Sequence, residues 1–260
     1  MFLLSQKTRF QKNLPTLLIT SCINPSDLTV KLKDPLLRFN HTLEGLQHWV
    51  NISPELKIVI CDGSGFDFSE TASSAFPGVN IECLNFINST KEVQAKGKGY
   101  GEGEIIAYAL DNSKYLKQSD RFMKSTGKLW VSNVHKLLKN RHELFLIDAY
   151  FKRHFNNYEI QYLDTRFFIS NIDFYKQFLI DAYKESCFEP GCNIEHIFLK
   201  RLLGIKARNF ILQKNPAIYG FGGGNGSYYK QGFIKGILIN LKKRLLTKDS
   251  KFTHLFVIDN

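Results

Sequence analysis

The chain is short of acid. Against 35 Lys and Arg it has 24 Asp and Glu, a formal net charge of +11. That balance implies an anionic partner: nucleic acid, a phosphorylated ligand or an anionic membrane. Long hydrophobic runs are missing, and none reaches the roughly 20 apolar residues that span a bilayer. The opening Met1-Phe-Leu-Leu is too short for a signal peptide and charges follow at once, so the expectation is a cytoplasmic protein. Cysteine is sparse, at positions 22, 61, 83, 187 and 192. Cys187 and Cys192 have four residues between them and come with neither a C-x-x-C nor a paired histidine. The other three sit in strand-like apolar runs and read as small buried hydrophobes in a reducing compartment. The usual phosphate signatures are absent too. No Gly-Lys-Ser/Thr closes a P-loop, and the first strand runs into TSCINPSD rather than G-x-G-x-x-G, which argues against a nicotinamide-dependent oxidoreductase. No RRM, zinc or helix-turn-helix signature accompanies the positive charge, so nucleic acid is the weaker candidate partner.

What is present describes a globular protein. Hydrophobic residues make up 43% and aromatics 13%, with 22 Phe, over 260 residues. That length makes one large domain, or one domain with an appendage. TLLITSCI (16–23), LKIVIC (56–61) and VNIECLNFI (79–87) read as strands. Between the first two, PLLRFNHTLEGLQHWV has apolar residues at helical spacing, with Asp34 as N-cap and Pro35 in the first position. A short helix follows the second strand. This alternation predicts a mostly parallel α/β sheet flanked by helices, whose ligand sits beyond the carboxyl ends of the strands. The polar residues at those ends are Ser21, Asn24, Asp62, Ser64 and Asn88.

The stretch from Lys96 to Asn133 organises the site. A loop with Gly97, Gly99, Gly101 and Gly103 is expected to run into a helix over 102–117, presenting backbone N–H groups to phosphate with Lys96 and Lys98 beside them. The aromatic-rich FMKSTGKLWVSN (122–133) reads as a strand with a turn-like centre or end. Further on, 144–151 and 159–170 read as strands, 172–186 as a helix, and 193–204 as a helix capped by Asn193 and Gly204. One more strand and a second glycine loop, 220–226, follow. Residues 228–251 hold seven basic residues against one acid, with apolar residues on one helical face. This predicts a basic amphipathic helix, either lying on an anionic membrane or docked on its own domain. The expected division is a main domain over 1–227 and a basic segment over 228–260.

The segments LLITSCINPSD, KDPLLRFNHTLEGLQHW, IVICDGSGFDFS, KGKGYGEGEIIAYAL and FMKSTGKLWVSN together resemble bacterial glycosyltransferases of surface-polysaccharide (lipopolysaccharide and capsule) gene clusters. The resemblance covers roughly residues 16–140. It implies a GT-A-like fold and transfer of a sugar from a nucleotide-sugar donor to a growing glycan, with a glycan or lipid-linked acceptor at the inner face of the cytoplasmic membrane. Ser21, Asn24 and Asp62 are then placed to contact the nucleotide, and Lys96, Lys98, Gly101 and Gly103 to line the diphosphate. Glu102 is either a ligand contact or a helix-dipole acid. Many GT-A enzymes hold a divalent metal with Asp-x-Asp after the fourth strand. The comparable segment here, Asp120 to Lys128, has no paired carboxylate. Lys124, with Lys128, is therefore expected to replace the metal, with Thr126 and Gly127 near the sugar; Mn2+ or Mg2+ is the alternative. Inverting transfer needs a carboxylate base for the acceptor hydroxyl, for which Glu195 and Asp164 are the candidates. Each has a plainer alternative: Glu195 as a helix-dipole acid, Asp164 as the ion-pair partner of Arg166. Rival functions are a basic nucleic-acid-binding protein and a catalytically inactive sugar-nucleotide fold acting as a scaffold.

Overall fold

The computed structural model describes residues 14–138, 143–154, 157–207 and 209–230. The chain begins with β1 (Thr16–Ser21), every residue of which is buried. It continues through α1 (Pro35–Ile52), β2 (Ile58–Asp62), α2 (Ser69–Ala75), β3 (Ile81–Asn85), α3 (Thr90–Lys96), α4 (Lys98–Asn112) and α5 (Lys114–Lys117). Then come β4 (Arg121–Thr126), β5 (Leu129–Val131), α6 (Val134–Leu137), β6 (Phe145–His154), β7 (Asn157–Asn171) and α7 (Ile172–Phe178). A 3-10 turn over Ala182–Glu185, α8 (Ile194–Gly204), β8 (Ile218–Gly222) and β9 (Ser227–Tyr229) complete the described chain.

The main sheet has the order β3-β2-β1-β4-β7-β6. The first four strands are parallel, while β7 and β6 join antiparallel. A second, antiparallel sheet has the order β5-β8-β9. The mostly parallel α/β sheet expected from the alternation of elements is the one observed. Because β1, β2 and β4 are covered on both faces, their side chains alternate between two cores. Leu18, Val59 and Phe122 face α4, α7 and α8. Leu17, Ile19, Ile58, Ile60 and Met123 face α1 and β5. Asp34 caps α1, accepting from the Leu37 N–H at 3.0 Å, with Pro35 leading the helix. Trp49 of α1, wholly buried, donates its indole N–H to the Leu129 carbonyl at 3.0 Å and so ties α1 to β5.

Several local expectations are corrected. The first glycine stretch is not a loop, since α4 already starts at Lys98 and includes Gly99, Gly101 and Gly103. These glycines make room for neighbours: a Cβ at 99 would press on Ile194, at 101 on the Asn88 amide, and at 103 on Tyr183. Only Gly97, at φ +86°, breaks the chain between α3 and α4. The helix expected over 102–117 divides at Ser113, whose side chain caps α5. That expected over 172–186 stops at Phe178 and gives way to the 3-10 turn. Gly204 is the last residue of α8, with Ile205 as its cap. Cys187 and Cys192 form a disulfide, closing a small loop. β9 pairs with β8. The rest of the expected basic helix, from 231 onward, lies outside the described residues. Among the described residues, no helix is long and apolar enough to cross a membrane.

Two glycine substitutions test this packing. Gly103→Ala should destabilise the fold by about 1–3 kcal/mol, because the new methyl would collide with Tyr183. Gly204→Ala, which meets nothing within 4 Å, should be neutral or slightly stabilising. Urea denaturation midpoints of the two variants check both.

Candidate active site

The carboxyl ends of β1, β2 and β3 lie side by side, with Ser21 opposite Asp62 and Asp62 opposite Asn85. Above them opens a cleft of about 550 Å³, within the range of ordinary ligand pockets. Its walls are the end of β1, the loop 25–30, the first turns of α4, the segment 186–195 and the Gly222–Asn225 turn of the β8–β9 hairpin. The second glycine loop thus reaches the site from the far end of the described chain. It is held there by the Gly223 and Gly224 carbonyls, which accept from Leu32 and Lys31.

Asp62 lies beneath this cleft and does not line it. Its carboxylate is wholly buried and accepts from the Ile23 N–H at 3.0 Å, the Ser64 N–H at 2.8 Å and the Phe66 N–H at 3.2 Å. It fastens the exit loops of β1 and β2 to each other, in place of the expected contact with a base or ribose. Asn24 is exposed and outside the cleft, its N–H bound to Ser64 Oγ at 3.0 Å. Ser21 and Asn88 do open on the cleft, and so does Asp27, which the sequence reading passed over although it ends the INPSD segment. Among the described residues Ser21 Oγ, Asp27 Oδ2 and Asn88 Oδ1 are buried without a hydrogen-bond partner.

Charge in the cleft is divided between paired and unpaired groups. Lys124 was expected to meet a diphosphate, but it is wholly buried below the cleft. Its ammonium donates to Glu102 Oε1 at 2.6 Å, Thr126 Oγ1 at 2.8 Å and the Thr165 carbonyl at 2.8 Å, which uses all three protons. Lys128, by contrast, faces the cavity. It sits on the β4–β5 turn at φ +73°, is 4% exposed, and makes no ion pair among the described residues. Burial, with the Arg38 guanidinium adding to it, pushes its pKa down to about 7. Arg38, absent from the sequence reading, projects from α1 into the same wall. It donates to the Cys22 and Leu32 carbonyls at 2.7 and 2.8 Å and, among the described residues, pairs with no carboxylate. The only signal was an arginine within the helical stretch of α1, which is otherwise patterned for burial. Lys98 lines the cleft, whereas Lys96 at the rim is paired with Glu92 at 2.9 Å.

Of the carboxylates that line the cleft, Glu102 and Glu195 have shifted pKa values. Burial works against ionisation of Glu102, but Lys124 and the Thr126 and Thr20 hydroxyls outweigh it and hold the group below the usual carboxylate range. Glu195, in the first turn of α8, is pushed above that range, chiefly by burial and further by Glu102. Thr165 Oγ1 donates to it at 3.4 Å. Asp164 is not in the cleft: it is 5% exposed, and Arg166 grips both of its oxygens. Thr126 and Gly101 line the cavity. Gly103 and Gly127 do not; Gly127 packs against β1, its N–H donating to the Thr20 carbonyl at 2.7 Å. Among the described residues, no group of three or more His, Cys, Asp or Glu is arranged to hold a metal ion.

No family model matches the chain, and no curated protein matches it in sequence. Solved structures of similar course include the galactosyltransferase LgtC in complex with donor and acceptor sugar analogues. That match has 10% identity and a TM-score of 0.45, covering 70% of this chain and 69% of that one. The Staphylococcus aureus protein TarS, residues 1–349 in complex with UDP, matches at 10% identity and a TM-score of 0.44, covering 93% and 68%. A putative nucleotide-diphospho-sugar transferase of Desulfovibrio desulfuricans G20 matches at 14% identity and a TM-score of 0.40, covering 76% and 78%. At these values the likeness concerns the course of the chain and carries no argument for activity.

The state of Lys128 predicts how the cleft takes up anions. Only its protonated form attracts them, and that form is lost as pH rises through about 7. Inorganic pyrophosphate should therefore bind more weakly at higher pH, approaching a tenfold loss per unit. Calorimetry in two buffers of different ionisation heat should show proton uptake on binding. Lys128→Met should flatten the pH dependence.

Proposed function

We propose that the protein is a glycosyltransferase with a GT-A-like fold. It moves a sugar from a nucleotide-sugar donor to a growing bacterial surface glycan such as lipopolysaccharide, O-antigen or capsule. The observation that carries this reading is the set of groups gathered in one cleft. Unpartnered hydrogen-bond acceptors lie after β1 and β3 (Ser21, Asp27, Asn88), cations without an ion pair among the described residues on the β4–β5 turn (Lys128) and α1 (Arg38), and two carboxylates with opposite pKa shifts near the starts of α4 (Glu102) and α8 (Glu195). A nucleotide sugar calls for the same three kinds of partner: for the nucleoside, the diphosphate and the reacting sugar.

In this reading Lys128 and Arg38 hold the diphosphate and stabilise the charge it gains as the glycosidic bond breaks. They take the place first assigned to Lys124, and they support metal-independent transfer. Glu195 accepts the proton of the acceptor hydroxyl as that oxygen attacks the anomeric carbon. The bond from that carbon to the diphosphate oxygen breaks, and the nucleoside diphosphate leaves as an anion. Its raised pKa suits Glu195 to this task. Glu102, kept ionised by Lys124, faces the positive charge that develops on the sugar. Inverting transfer needs a carboxylate base for the acceptor hydroxyl, and Glu195 suits that role. The basic segment 228–251 is assigned to the anionic inner face of the cytoplasmic membrane, next to a lipid-linked acceptor.

Thermal stabilisation by a panel of UDP-, GDP-, CMP- and dTDP-sugars tests donor binding, since a ligand at a hundred times its Kd stabilises by about 2.7 kcal/mol. A shift with one nucleotide class is expected, persisting in EDTA; no shift with any would reject the reading. Glu195→Gln should lower kcat by about 10²–10⁴-fold with little change in donor affinity. The acidic limb of the wild-type pH–rate profile should lie above the ordinary carboxylate range, because the rate falls as Glu195 takes up its proton.

A further inference from the structure

Three buried acceptors in one cleft need an explanation. A buried polar atom without a partner costs about 1–3 kcal/mol, and native structures leave few of them. Asn88 is 8% exposed, Asp27 4% and Ser21 1%. Each has had one part of its side chain or backbone fixed, so that the remaining atom is held in place. Asn88 lies across a notch made by two glycines, since a Cβ at either Gly63 or Gly101 would fall within 2.8 Å of its amide. Its N–H donates to the Gly63 carbonyl, and Nδ2 donates to the Gly101 carbonyl at 3.4 Å, leaving Oδ1 bare. The Ser21 carbonyl accepts from Gly63, so Ser21 and Asn88 flank the same glycine. Asp27 Oδ1 accepts from the Thr29 N–H at 2.8 Å and the Thr29 hydroxyl at 2.7 Å, leaving Oδ2 bare. A carboxylate oxygen and an amide oxygen can only accept, and the hydroxyl is free to do so.

We propose that Ser21, Asp27 and Asn88 form an acceptor floor that reads the nucleoside, selecting a base that carries a ring N–H on its pairing edge. This rests on the nucleotide-sugar reading of the cleft and adds the class of base to it. Uracil, thymine and guanine offer that N–H. Cytosine and adenine put a ring nitrogen lone pair in its place, which meets an acceptor with repulsion, and keep only the exocyclic amino group beside it as a donor. A site of this kind discriminates by the penalty of leaving its own buried groups unpaired.

The test compares UDP, GDP, CDP and ADP by calorimetry on the full chain, with inorganic pyrophosphate and dUDP as controls. The diphosphate is constant, so contacts with Lys128 and Arg38 cancel and only the nucleoside varies. UDP or GDP should bind at least tenfold tighter than CDP and ADP, and tighter than pyrophosphate. Asp27→Asn, which replaces one acceptor by a donor at the same size, should weaken the ring N–H nucleotides and strengthen CDP. Asn88→Ala should narrow the preference without abolishing pyrophosphate binding. Equal binding of all four nucleotides overturns the proposal. So does loss confined to dUDP, which would show the floor reading the ribose 2′-hydroxyl. Failure of every nucleotide, with pyrophosphate still bound, overturns the nucleotide reading itself.

Discussion

The buried ammonium of Lys124 holds the cleft together. It lies on β4 and takes its acceptors from three elements: Glu102 of α4, Thr126 at the end of β4, and the Thr165 carbonyl of β7. Burying a charge without partners is prohibitive, so these three groups must converge on it. Removing one partner from such a buried pair costs about 3–5 kcal/mol. The consequence reaches the surface, because Glu102 is pinned by one oxygen with its side chain 22% exposed to the cavity. A single internal pair thus sets the distance between α4 and the sheet and fixes a carboxylate at the cleft floor.

The remaining charges divide according to whether the fold completes them. Asp62 and Asp164 are fully engaged, by backbone N–H groups and by Arg166 respectively, and do structural work. Lys128, Arg38 and Glu195 are left incomplete at the cavity, and burial shifts the pKa of each toward its neutral form. Completed pairs rigidify; incomplete groups hold their free energy in reserve for a ligand. Glycine serves the same division. Gly63 and Gly101 open space for the Asn88 amide, while Gly103 lets the 3-10 turn press against α4.

The central strands were legible because β1 and β2 are apolar without alternation, which only a sheet covered on both faces accommodates. The N-cap of α1 was legible from Asp34-Pro35. The glycine stretch misled, because glycine marks either a loop or a close approach, and only the neighbours Ile194, Asn88 and Tyr183 decide which. Lys124 and Lys128 were indistinguishable in sequence. They differ by four positions, yet one points into the sheet face under α4 while the other turns at positive φ into the cavity. Arg38 and Asp27 were missed because a lone charged residue in a helix or turn is ordinarily a solvated one.

The amino-acid sequence by itself determined the class of structure: a parallel sheet with its ligand face at the strand ends, and an excess of positive charge seeking an anion. Those follow from periodicity, composition and capping, which are local or additive. Tertiary structure alone decided which polar groups are satisfied. Whether Lys124 meets Glu102, Asp62 meets Ile23, or Asn88 is left with a bare oxygen depends on contacts spanning tens of residues. The functional character of the cleft lies in that unsatisfied remainder, because a group completed by the fold has nothing left to offer a ligand.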